Sequence, residues 1–87
     1  MKEQSRIEAT ILRLTAECGR HRSICPTDIA RALDPAWRTL LTAVRRAAIG
    51  LARDGRIEIL RKGRLADPAT VKGVIRLRMV ASPATDA

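Results

Sequence analysis

Cys18, His21 and Cys25 are the residues whose types most readily suggest chemistry. Their spacing, C-x2-H-x3-C, offers three soft ligands, whereas structural zinc takes four, commonly in two close pairs. Each cysteine also has a structural place, Cys18 on an apolar stripe and Cys25 just before a helix, and His21 sits in a charged connector. No metal or other cofactor is therefore expected. Catalysis has less still to work with. The chain has no glycine-rich phosphate loop, no serine or cysteine with histidine and carboxylate at workable positions, and no carboxylate pair in an apolar setting, so an enzyme is not expected. The remaining chemistry is ionic. Arg38, Arg45, Arg46 and Arg53, interleaved with Thr39 and Thr42, are followed by the cluster Arg61, Lys62 and Arg64. Guanidinium groups pair bidentately with guanine, and threonine hydroxyls reach base edges or phosphates. These residues form the candidate site, and double-stranded DNA is the expected partner.

The elements that must position them follow from apolar spacing. Ser5, three residues before Glu8, fits a reciprocal cap for a first helix. Ile7, Ile11, Leu14 and Cys18 then fall on one stripe, and Gly19 ends it. Ile24 reads as a single strand residue in the connector. Pro26 suits the first position of a short second helix, which turns Ile29 and Leu33 inward with Ala30 allowing close approach. Asp34–Pro35 breaks it. A third helix is expected from about Ala36 or Arg38 to Asp54. With Val44 as centre, Leu40, Leu41, Ala47, Ala48 and Leu51 lie within about 60° of it. Arg38, Thr42, Arg45, Arg46, Ile49 and Arg53 take the opposite side, and Gly55 terminates the helix. Beyond it "RIEIL" and "VIRLRM" alternate as strands, which lets Glu58 face one of Arg76 and Arg78 across a ladder, worth about 0.2–1 kcal/mol. The stretch between them is too long for a tight hairpin and carries the basic turn Arg61–Arg64, with one extra helical turn expected at Asp67–Pro68.

This order predicts an α+β chain, mainly α: a winged helix-turn-helix with three helices and a two- to three-stranded antiparallel wing. Residues 1–80 read as a single domain and 81–87 as a disordered tail. The third helix must bury one side on the first two, which forces its arginines to the other. The wing tip adds phosphate-holding charge that fixes position more than sequence. The same residues also fit the solvated face of an arginine-rich protein. A homodimer or protein-docking module is the alternative, motivated by Ile49 on the basic face and by an exposed edge strand near Arg76–Met79.

Composition agrees with a binding module. The net charge is +8 over 87 residues, and residues 38–64 hold eight basic groups against two acidic ones, which favours a polyanionic partner. Trp37 is the only aromatic. It reads as a packing residue closing the turn before the third helix. A single-strand binder would need a stacking platform, and a small-molecule pocket would need apolar and aromatic lining; neither is expected. No apolar run approaches the ~20 residues of a membrane span, and "MKEQSRIEAT" has no signal-like apolar core. A cytoplasmic protein with free thiols is expected.

Cys25–Pro26 followed by Asp28 and "ARAL", Trp37–Arg38, "DGRI", "KGR", "DPATVKG" and the final "IRL" together resemble a family of short bacterial proteins catalogued as a domain of unknown function, number 3253. The resemblance covers about residues 5–79 and implies a winged-helix fold with no established activity. The Asp34–Arg38 stretch exceeds the usual three- to four-residue turn of a helix-turn-helix, so the groove-entry angle of the third helix does not follow from the resemblance.

Overall fold

Apolar side chains spaced for three helices and a small sheet meet in one core. In the computed structural model, which describes residues 2–80, the elements are α1 (Lys2–Cys18), α2 (Pro26–Leu33), a 3-10 turn (Trp37–Leu40), α3 (Leu41–Arg53), β1 (Ile57–Arg61), β2 (Arg64–Leu65) and β3 (Arg76–Met79). The expected tail, 81–87, lies outside the described residues. Helices pack on one face of an antiparallel sheet ordered β2-β1-β3, and Ile24 adds a bridge to Leu77 on the far side of β3. This is a winged-helix layout, α+β and mainly α.

Two helix starts differ from the sequence reading. α1 already runs from Lys2, so Ser5 lies inside it, and Glu8 accepts a hydrogen bond from Gln4 Nε2 at 2.9 Å instead of closing a cap with Ser5. The S-x-x-E pattern occurs within helices as well as at their starts. The third helix is also shorter than expected, because its first turn winds as 3-10. Asp34 Oδ1 accepts from the Ala36 amide at 2.7 Å and Thr39 N–H bonds to Ala36 O at 3.1 Å, so regular α geometry starts at Leu41. Pro26 does open α2, preceded by Cys25. The Cys25 thiol donates to Asp28 Oδ2 at 3.3 Å. Both cysteines are free thiols.

The core is aliphatic throughout. Ile7 and Ile11 of α1, Ile29 and Ala30 of α2, and Val44, Ala47, Ala48 and Leu51 of α3 are buried with Ile57, Ile59, Ile75 and Leu77. Leu14 and Cys18 are only half-buried, and Thr15 takes the central place instead. Its hydroxyl donates to Ile11 O at 2.8 Å, which offsets the cost of burying it. Arg6 ties α1 to the end of α2 through Leu33 O at 2.7 Å. At the end of α3, Gly55 N–H bonds to Ala52 O and Arg56 N–H to Leu51 O, the paired C-terminal bonds that let the chain turn sharply into β1.

Glu58 and Arg78 are register partners on β1 and β3 and form a half-buried ion pair at 2.6 Å, as the alternation predicted. Glu58→Gln should lower stability by about 1 kcal/mol in a urea melt, since it weakens a charge-assisted bond in a partly desolvated place; an unchanged midpoint would mean that water already screens the pair. The stretch judged too long for a tight hairpin begins with one. Lys62 and Gly63 both take positive φ, 53° and 79°, as a two-residue turn between twisted strands requires, and β2 then pairs Arg64 with Arg61. After β2, Asp67 caps a single turn, accepting from Ala69 N–H with its side chain and from Val71 N–H with its carbonyl.

Candidate nucleic-acid interface

The exposed face of α3 is narrower than the sequence suggests and cleaner in charge. Thr42, Arg46, Gly50 and Arg53 are exposed and follow one another at i, i+4, i+8 and i+11, the line of a single helix face. α3 carries no carboxylate. Ion pairs among the described residues join Arg6 to Glu3, Arg13 to Glu17 and Arg78 to Glu58, and none of them touches α3 or the wing tip. Arg46 and Arg53 therefore present uncompensated charge to solvent.

Arg38 and Thr39 do not belong to this face. They lie on the 3-10 turn that precedes α3. The Arg38 guanidinium stacks on Trp37, 4.3 Å from the ring centroid, with Arg31 at 5.4 Å from the same ring. Thr39 Oγ1 donates to Ala36 O at 2.9 Å and holds its own turn. Trp37 itself is half-buried and packs against the core.

Arg45 sits at the border of the helix face, half-buried, and reaches the loop before β3: its Nη1 donates to Gly73 O at 2.8 Å. From the sheet side, Arg61 reaches the same place, donating to Val74 O at 3.1 Å. The strand alternation explains the meeting. Ile57, Ile59 and Arg61 share the face of β1 on which α3 packs, so Arg61 extends the core-facing row toward Arg45. Each guanidinium still has free N–H donors after its one carbonyl bond. Helix and wing charges thereby meet at Gly73–Val74. Lys62 and Arg64 stand exposed at the tip, and Arg64 faces Arg61 directly across the hairpin, a like-charge pairing that is unfavourable without a counter-ion.

Of the expected site, then, Thr42, Arg45, Arg46, Arg53, Arg61, Lys62 and Arg64 fall on or beside α3 and the wing, while Arg38 and Thr39 belong to the preceding turn. The loop 72–74 was missed, because its backbone carbonyls, the groups that draw the two arginines in, leave no trace in residue types. One of the two features behind the protein-docking alternative also shifts. Ile49 is half-buried and packed on the core, whereas β3 is an edge strand of the sheet, bridged on its outer side by Ile24 at Leu77. Among the described residues no group of three or more His, Cys, Asp or Glu side chains is gathered for a metal, and no helix is long and apolar enough to cross a membrane.

Residues 4–80 match the family model described as "Protein of unknown function (DUF3253)". The chain belongs to this family. The match spans every element from α1 to β3, so the wing and α3 of this DUF3253 chain lie within the family's own domain. No curated protein matches it.

Proposed function

We propose that the protein is a cytoplasmic, non-catalytic DNA-binding module that holds double-stranded DNA through α3 and the wing. The observation that carries this reading is the junction of two charge sources. Arg46 and Arg53 line the exposed face of α3 without acidic partners, and Arg45 joins that face to Arg61 at the base of a hairpin tipped by Lys62 and Arg64. A helix of this kind can lie in a major groove while a basic turn beside it reaches the flanking phosphates. The lone aromatic, half-buried under Arg38, leaves no stacking platform, which favours a duplex over a single strand.

The test is a titration of labelled duplex at several salt concentrations. Contacts to about four to six phosphates give a log–log slope of roughly −4 to −5. Binding that is absent at about 50 mM salt, or indifferent to salt, overturns the reading. A single strand that competes as well as duplex would move it to another nucleic-acid form.

A further inference from the structure

The loop that returns the chain to β3 holds an apolar side chain where the charge is densest. Val74 is 79% exposed, and the carbonyls on either side of it, those of Gly73 and of Val74 itself, are bonded to Arg45 and Arg61 respectively. Gly73 takes φ +82°, and a Cβ there would come within 2.7 Å of the Arg61 guanidinium. The positive φ favours glycine, and a side chain there would displace the Arg61 guanidinium from this position. A single exposed valine is ordinary on a protein surface. Here, however, the side chain is stiff at χ1, its peptide groups are held from both sides, and it projects from the middle of a cationic surface, next to Lys72, which is exposed.

We infer that Lys72–Val74 is a third DNA-contacting element, set between α3 and the wing tip. In it Lys72 takes a phosphate, and Val74 packs on apolar surface of the duplex, either a thymine methyl or the deoxyribose. Arg45 and Arg61 serve as its clamp as well as contributing charge. The chemistry is that of duplex readers, in which cations neutralise phosphates and a small apolar group lies against bases or sugars. The inference rests on the duplex-binding reading above.

The experiment compares the full chain with Val74→Ala and Lys72→Gln on labelled duplex across a salt series. Both side chains are exposed, and thermal melts would confirm that both variants remain folded. Val74→Ala should weaken binding about three- to tenfold at an unchanged salt slope, as expected for deleting two methyl groups that are partly buried in the complex. Lys72→Gln should reduce the slope by about one. A duplex with uracil in place of thymine separates the two apolar partners. If Val74 meets a methyl, the parent loses the same factor and Val74→Ala loses nothing more; if it meets deoxyribose, uracil changes neither protein. Parent and variants binding alike, with the parent bound tightly and salt-dependently, overturns the inference and leaves the broader reading standing. A parent that does not bind takes both down.

Discussion

Leu77→Ala should cost about 3 kcal/mol of folding free energy, within the usual range for emptying a fully buried leucine. Leu77 has no exposed surface. It pairs with Ile59 on β1, exchanges both backbone bonds with Ile24, at 2.8 and 2.7 Å, and lies where α1 packs on β3. The aliphatic core offers no large aromatic to move into the gap. For a domain this small, 3 kcal/mol is a large part of the total stability, and the melting temperature should fall by about 15 °C. In urea the midpoint should drop with little change in slope, since the same surface is exposed on unfolding. Leu65→Ala is the control. Leu65 is 65% exposed on the edge strand, and its loss should stay within about 0.5 kcal/mol. Equal effects of the two substitutions would mean that Leu77 is not part of the core.

The second large effect is on binding. Replacing Arg46 and Arg53 together by glutamate should reduce duplex affinity about 100-fold at moderate salt and lower the salt slope by about two, because two phosphate contacts are lost and repulsion replaces them. Stability should hardly move, since both side chains are exposed and make no ion pair within the described residues. The informative contrast is Arg38→Gln. A continuous third helix would make Arg38 as important as Arg46. With Arg38 stacked on Trp37 in the 3-10 turn before α3, its loss should change affinity by less than about threefold. If Arg38→Gln is as damaging as the double reversal, the DNA lies across the 3-10 turn rather than along α3.

What could be read from the residues alone was whatever depends on periodicity. Val44, Ala47, Ala48 and Leu51 are buried because they recur at helical spacing. The Glu58–Arg78 pair follows from alternation on two strands, and Ile24 as a lone strand residue follows from a single β-branched residue between helices. The misreadings arise where two geometries share a pattern. Residues 37–40 fit a helical wheel whether they wind as 3-10 or α, and the residue types alone do not separate the two. Thr15 is buried because its hydroxyl finds carbonyls one turn back, a solution that a polar residue type does not announce. The convergence of Arg45 and Arg61 was hidden for a related reason. It depends on peptide carbonyls at Gly73 and Val74, and any sequence supplies those.

The bond between Ser23 and Arg76 has a kinetic consequence. Arg76 Nε and Nη2 reach the Ser23 hydroxyl and carbonyl at 2.7 and 2.8 Å across 53 positions of sequence, beside the Ile24–Leu77 bridge. A nascent chain can form its helices and the β1–β2 turn early, as these are local, but such distant pairings close slowly. Until residues 76–79 pair, one edge strand of the sheet is missing and the apolar faces of β1 and α1 stay uncovered. Folding is thus completed only when this distant pairing closes, and the interval before it is when the chain is most open to aggregation.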